Sequence, residues 1–163
     1  MSKLEKIYID TEFIDNGETL ELISIGLVKE SGEGLYLISS EFQFENCDDW
    51  LLENVLPNLE KTIHNTCSLK EIKQKVIDFC GTNKIQFYGY YSAYDWVIFC
   101  QLFGRMIDIP INYSQYCHDL KQDLDRLELY DFVGQTGGVN HNAFKDAKSF
   151  ISLHKLTQKY LKI

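Results

Sequence analysis

The sequence predicts an α/β domain in which helices flank a mixed sheet. Three strand-like segments come first, at 6–12, 20–28 and 34–44. Helical patterns follow, and one short apolar segment among them, 85–88, has the composition of a buried strand. Because segments of both kinds bury their apolar faces by packing as layers, this order predicts an α/β fold.

The first three segments have the composition of strands joined by tight turns. Residues 7–9 are the β-formers Ile, Tyr and Ile, and an acidic pair follows them. Residues 20–28, LELISIGLV, are almost wholly apolar, as in a central strand. Turn residues fill 15–17 (Asp-Asn-Gly) and 31–34 (Ser-Gly-Glu-Gly). We therefore expect an antiparallel three-stranded meander.

Helical patterns occupy most of the remaining chain. Asp48 or Asp49 is a candidate cap for a helix over 50–56, which stops near Pro57. Ser68 opens the capping-box sequence SLKE, and an apolar face with helical spacing then continues to Cys80. Further helices are predicted over 93–103, over 118–127, and from 143 or 145 to 160.

Composition limits the protein class. At 163 residues, with 45% hydrophobic and 25% charged residues, the chain fits a single globular domain over 1–163. A net charge of −8 argues against a protein that coats nucleic acid nonspecifically. It is compatible with a nucleic-acid enzyme, because bound divalent ions offset negative charge locally.

The cysteines and the N-terminus indicate where the protein works. The five cysteines are odd in number, widely spaced and without a C-x-x-C pair, which favours free thiols in a reducing cytoplasm. The N-terminus MSKLEKIYID leads directly into a strand pattern and lacks a signal-peptide core. No apolar run is long enough to cross a bilayer. We expect a cytoplasmic protein without a membrane partner.

Asp10 and Glu12 are the first candidate site residues. They stand two apart in the strand segment YIDTEF, so both carboxylates point to the same face of the sheet. A solvent-facing acidic edge would give the same pattern. The apolar strand before them favours burial instead, and a divalent cation compensates buried carboxylates well.

Asp95 is the second candidate. It follows the tyrosine-rich segment 88–94 and precedes the apolar residues 96–99. One interpretation is an acid at a helix N-terminus, which the helix dipole favours. The other is a site residue at the sheet edge where α/β folds bind their ligands. The tyrosines at 88, 90, 91 and 94 are candidates for stacking on bases, or else are packed.

His141 and Asp146 form the third candidate group, in HNAFKDA. The residues 137–140 (Gly-Gly-Val-Asn) predict a flexible loop ahead of the last helix, with Asp146 in the first turns of that helix. A histidine titrates near neutral pH and is therefore suited to act as a general base. The plain alternative is a loop histidine and a helix-start acid.

Together these motifs resemble the DEDDh branch of the DnaQ-like 3′–5′ exonucleases. D-x-E stands in the first strand, an aspartate precedes a central helix, and H-x-A-x-x-D-A opens the last helix. Each motif alone is weak, but all three occur in order over nearly the whole chain. The short length and the segment YSAYDW look most like the small bacterial and phage polyadenylate-specific 3′-exoribonucleases of that superfamily.

The resemblance implies a fold, a cofactor and a set of roles. The fold would be RNase H-like, with a five-stranded mixed sheet flanked by helices. Two Mg²⁺ or Mn²⁺ ions would lie between four carboxylates, and the imidazole would take a proton from the attacking water. Backbone groups around Glu12 and Phe13 would hold the terminal nucleotide. The implied metal ligands are Asp10, Glu12, Asp95 and Asp146, and the implied general base is His141.

The predicted activity is hydrolysis of single-stranded RNA from its 3′ end, releasing nucleoside 5′-monophosphates. Alternatives are a DNA 3′–5′ exonuclease of the proofreading or trimming type, a nuclease of very short RNA only, or an RNase H-like module that binds nucleic acid without cleaving it. Ribose and deoxyribose differ only at the 2′-hydroxyl, so the carboxylates alone do not separate the first two. Relatives are often dimers, which makes a homodimer possible.

Overall fold

A six-stranded mixed sheet forms the centre of the computed structural model, which describes residues 4–130 and 139–161. The sheet order is β4-β3-β2-β1-β5-β6. The strands are β1 Leu4–Asp15, β2 Leu20–Lys29, β3 Gly34–Ser39, β4 Thr66–Cys67, β5 Lys84–Gly89 and β6 Tyr113–Asp119. The helices are α1 Asp49–Asn54, α2 Leu69–Cys80, α3 Ala93–Gln101, α4 Leu120–Arg126 and α5 Ala143–Leu161.

The predicted mixed α/β architecture is confirmed, including the meander. β1, β2 and β3 pair antiparallel, whereas β5 pairs parallel to β1 and β6 parallel to β5. The expected count of five strands is wrong. β4 is a two-residue strand parallel to β3, too short to produce a periodic pattern in the sequence.

Several predicted boundaries are also wrong. The first strand covers Leu4–Asp15 rather than 6–12. The third strand ends at Ser39 rather than at 44. The helix expected from 118 begins at Leu120, because His118 and Asp119 complete β6. The Asp119 side chain accepts a hydrogen bond from the Lys121 N–H and so caps α4.

The two faces of β1 pack against different layers. Ile7 and Ile9 belong to the main apolar core, which includes buried residues of α2 and α3. Tyr8 points to the other face, where it joins buried residues of α4 and α5. This alternation puts Asp10 and Glu12 on the side of the sheet that α5 covers.

A glycine lets α5 approach the sheet. Gly26 of β2 stands opposite Asp10 of β1, and a Cβ atom at Gly26 would lie 2.3 Å from the Ala143 carbonyl oxygen. Because backbone cannot yield at that distance, only glycine admits the start of α5 here. The first turn of α5 is therefore held beside Asp10.

The described helices include none with the length and apolar character needed to cross a membrane. All five cysteines are free thiols.

Candidate metal centre and active site

Carboxylates from two distant parts of the chain meet above β1. Asp10 and Glu12 of β1 and Asp146 of α5 each offer an oxygen, and these oxygens lie within 4.8 Å of one another. We call these three residues the carboxylate cluster. A shift in the strand register between Glu12 and Phe13 interrupts the pairing of β1 with β2, which resumes with Phe13 opposite Leu22. Such irregularities re-aim side chains at sheet edges and active sites.

Asp146 is held by the loop that precedes its own helix. The Asn140 backbone N–H and side-chain amide donate to Asp146 Oδ1 at 2.8 and 3.0 Å. The residue is only 5% exposed. One oxygen of Asp146 is thus engaged by the protein, which fixes the carboxylate beside β1.

Asp95 lies next to the carboxylate cluster, but it is not one of the three residues whose oxygens lie within 4.8 Å of one another. Its Oδ1 accepts hydrogen bonds from the Thr11 backbone N–H at 2.8 Å and from the Thr11 hydroxyl at 2.5 Å. Since Thr11 stands between Asp10 and Glu12, these bonds fasten the first turn of α3 to the acidic end of β1. Four carboxylates from three elements are therefore neighbours.

Electrostatics at this place disfavour the ionised carboxylates. Burial, followed by the charges of Asp95, Glu12 and Asp146, raises the pKa of Asp10 well above its usual range. Burial and the charges of Asp146 and Asp95 raise the pKa of Glu12 to about 8. Burial also raises the pKa of Asp95 to about 6, although its hydrogen bonds from Thr11 oppose this.

These carboxylates fit a divalent cation. Within residues 4–130 and 139–161, no lysine or arginine forms an ion pair with the carboxylate cluster. Repulsion between close carboxylates is relieved either by protons or by cations. The donors are all hard oxygens, which suit Mg²⁺ or Mn²⁺ better than soft metals.

His141 lies just before α5 in a left-handed backbone conformation, with φ of 50°. Its ring packs edge-on against Trp50 of α1, with centroids 4.9 Å apart. The next residue, Asn142, is buried and donates its side-chain amide to the Asn58 carbonyl at 2.8 Å. The histidine loop is therefore anchored to the segment around α1. Gly137 and Gly138 of the predicted flexible loop lie outside the described residues.

Phe13 is half-buried at the end of the acidic strand. Its ring packs edge-on against Tyr94 of α3, with centroids 6.0 Å apart. Tyr94 is 52% exposed, so this aromatic pair opens to solvent beside Asp95.

Several residues that build the site were not predicted from the sequence. Thr11 lies between two candidates but has no distinguishing pattern, and the contact between Trp50 and His141 joins residues too distant to pair by spacing. Gly26 did leave a signal, because a glycine inside a buried strand indicates close approach of another backbone.

The family comparison covers nearly the whole chain. Residues 5–156 match the family model described as the 3′-5′ exoribonuclease Rv2179c-like domain. Two curated relatives from Mycobacterium tuberculosis are named 3′-5′ exoribonuclease Rv2179c (strain ATCC 25618 / H37Rv) and 3′-5′ exoribonuclease MT2234.1 (strain CDC 1551 / Oshkosh). Each is 36% identical over 121 residues, which cover 72% of this chain and 72% of the relative.

Solved structures confirm the predicted RNase H-like fold. A zinc-bound complex of E. coli ExoI with single-stranded DNA superposes with a TM-score of 0.67 at 14% identity, covering 98% of this chain. The chain spans only 41% of that exonuclease. The catalytic unit of Neurospora crassa Pan2 gives a TM-score of 0.57 at 18% identity, covering 96% of this chain and 27% of that one.

Proposed function

The chain belongs to the family of 3′-5′ exoribonuclease Rv2179c-like domains and is a 3′–5′ exonuclease, and from this premise we propose that it degrades single-stranded RNA from the 3′ end. The observation that carries the proposal is the carboxylate cluster, which unites β1 and α5 and forms no ion pair with a lysine or arginine of the described residues. Residues 1–163 would act as one exonuclease domain in the cytoplasm.

The chain's own residues would divide the work as follows. Asp10, Glu12 and Asp146 would hold Mg²⁺ or Mn²⁺, two ions per site, with Asp95 contributing to the second. Divalent ions bound there supply positive charge against the phosphodiester and the charge that develops in the transition state. Backbone groups around Glu12 and the Phe13 ring would hold the terminal nucleotide.

His141 would act as the general base. Its imidazole takes a proton from the water whose oxygen attacks phosphorus, and the bond from phosphorus to the upstream 3′-oxygen breaks. The products are a nucleoside 5′-monophosphate and an RNA one nucleotide shorter. The contacts of the His141 ring with Trp50 and of the Asn142 amide with Asn58 hold the loop that carries the imidazole, five residues before Asp146.

Cleavage of 5′-labelled single-stranded RNA and DNA of matched sequence tests this function. With Mg²⁺ or Mn²⁺, we expect a ladder that shortens from the 3′ end of the RNA, and EDTA should abolish it. Asp95→Asn should remove the ladder, whereas Asp78→Asn, at an exposed position on α2, should retain it. Preferred cleavage of DNA would overturn the RNA assignment, and binding without cleavage of either strand would overturn the enzyme assignment.

A further inference from the structure

Tyr91 has an unusual backbone for an exposed aromatic residue. Its φ is 53°, in the left-handed region that favours glycine, and its side chain is 66% exposed. Residues other than glycine and asparagine seldom adopt this conformation, which costs on the order of 1 kcal/mol and persists only when the surroundings impose it. Burial of the ring does not explain the strain, because most of the ring faces solvent.

Asp119 imposes this conformation. Its Oδ1 accepts a hydrogen bond from the Tyr91 N–H, and its Oδ2 accepts one from the Ser92 N–H, both at 3.1 Å. The same carboxylate caps α4 through Lys121. The turn between β5 and α3 is thus fixed to the end of β6 and the start of α4.

Two neighbours support the exposed ring. Tyr90 packs edge-on against Tyr91, with centroids 4.9 Å apart. The Lys121 ammonium lies 5.7 Å from the Tyr91 centroid and also pairs with Asp125. The arrangement combines an exposed aromatic ring with a cation that lies over it. Nucleic-acid-binding sites for single strands combine the same two elements, an aromatic face for a base and positive charge for the backbone.

The position of Tyr91 points the same way. β5 runs parallel to β1, so the turn after Gly89 leaves the sheet at the end where Asp10 and Glu12 lie. Ser92 packs against Gly89, where a Cβ atom would lie 2.6 Å from the Ser92 Cβ, so the turn is tight. Tyr91 is therefore held at the same sheet edge as the candidate active site, one helical turn before Asp95.

From these observations we propose that Tyr91 is a stacking platform for a base of the single-stranded substrate, upstream of the nucleotide that is removed. The proposal rests on the proposed function, since it assigns a further contact for the same substrate. Stacking on an aromatic ring tolerates any base, so Tyr91 contributes affinity without sequence preference. Lys121 lies beside the ring, where a phosphate of the same strand would meet it.

A double-mutant cycle between enzyme and substrate tests the platform. One arm compares wild type with Tyr91→Gly, which removes the ring and fits the left-handed backbone, and with Tyr91→Phe, which keeps the ring. The other arm replaces each nucleotide upstream of the 3′ terminus, one at a time, by an abasic residue. Glu128→Gly is the matched control, because Glu128 also has a left-handed φ, of 55°. Binding is measured by fluorescence anisotropy with Ca²⁺ in place of Mg²⁺, and kcat/KM by cleavage.

We expect Tyr91→Gly to weaken binding and lower kcat/KM by roughly 5- to 150-fold, the range for one stacked base. Tyr91→Phe and Glu128→Gly should stay near wild type. At one upstream position, the abasic residue should lower the affinity and kcat/KM of wild type by a similar factor relative to the intact substrate. At that position, Tyr91→Gly should bind and cleave the abasic and intact substrates almost equally well.

Equal kcat/KM for Tyr91→Gly and wild type, or losses that multiply at every abasic position, would overturn the platform. A wild-type protein that cleaves no RNA would instead overturn the proposed function. In that case, the role of Tyr91 is tested only by the anisotropy measurement, which compares RNA binding by wild type and Tyr91→Gly.

Discussion

Tyr8 and Asp10 lie two residues apart on one face of β1, and each belongs to a group of buried or partly buried titratable side chains. Asp10 belongs to the carboxylate cluster. Tyr8 belongs to what we call the histidine–tyrosine stack, in which Tyr88 lies between the rings of His118 and His154 at 4.8 and 4.2 Å, and Tyr8 packs against Tyr88 and His154.

The two groups differ in whether the protein itself satisfies them. In the stack, the Tyr8 hydroxyl and His154 Nδ1 share a hydrogen bond of 2.8 Å, and the Tyr88 hydroxyl donates to Gln86 Oε1 at 2.8 Å. In the carboxylate cluster, like charges face one another. A buried polar group with its partner stabilises the fold, whereas one that lacks compensation marks a place prepared for a ligand.

The largest expected effect separates activity from stability at Asp10. Asp10→Asn keeps the side-chain volume but removes one charge of the cluster. We expect cleavage to fall by about 10³-fold or more, because metal-assisted charge stabilisation contributes several kcal/mol. In EDTA the same variant should be more stable than wild type and unfold at a higher denaturant concentration, because a repelling carboxylate has been removed. The free energy of unfolding should rise by about 1 kcal/mol or more.

Tyr8→Phe is the matched change in the stack. It removes the hydroxyl that is bonded to His154, so we expect lower stability with cleavage kept near wild type. A metal-free Asp10→Asn protein less stable than wild type would contradict the view that the carboxylate cluster lacks compensation. Activity and urea unfolding of both variants, with and without Mg²⁺, provide the measurements.

The next effect compares the two histidines associated with α5. His141 lies just before α5, five residues ahead of Asp146, whereas His154 is buried two turns beyond Asp146. His141→Ala should lower single-turnover cleavage by about 10²- to 10⁴-fold, the range for general base catalysis. Mn²⁺ affinity, measured by calorimetry, should be retained. Loss of Mn²⁺ affinity in the folded variant would contradict the assignment of His141 as the base.

Much of this arrangement was predictable, because the fold repeats simple patterns. The apolar run of β2 and the capping box at Ser68 gave a strand and a helix near their observed bounds. The i, i+2 spacing of Asp10 and Glu12 placed both on one face. These features depend on neighbours in sequence, and the alternation of strands and of helical turns follows from local geometry.

The remainder depends on contacts between distant segments. β6 went unrecognised because its burial is uneven along the strand, so YSQYCHD shows no clean alternation. Thr11 acquires its role only when α3 brings Asp95 beside it. The strain at Tyr91 follows from Asp119, 28 residues away. Such residues are ordinary in sequence and are defined by tertiary packing.

The smallest effect concerns the pH dependence of stability, which should have opposite signs in the histidine–tyrosine stack and the carboxylate cluster. Burial, and next the charge of Lys6, lowers the pKa of His154 from 6.5 to about 4. Between these values the unfolded chain binds more protons than the folded one, so stability rises with pH across this window. For Glu12, with its pKa raised from 4.5 to about 8, the folded state binds more protons, and stability falls as pH rises across that window.

His154→Gln separates these opposing contributions. In EDTA, the variant should lose the destabilisation that wild type suffers as pH falls from 6.5 to 4, which is at most about 3 kcal/mol for a shift of this size. His64→Gln, at an exposed histidine, is the control and should follow wild type. Urea midpoints across the window measure the slope. A wild-type slope unchanged in His154→Gln would mean that the stack accepts a proton without cost. The contrast with the carboxylate cluster would then fail, because the packing and hydrogen bond of His154 would not keep it neutral in the folded protein.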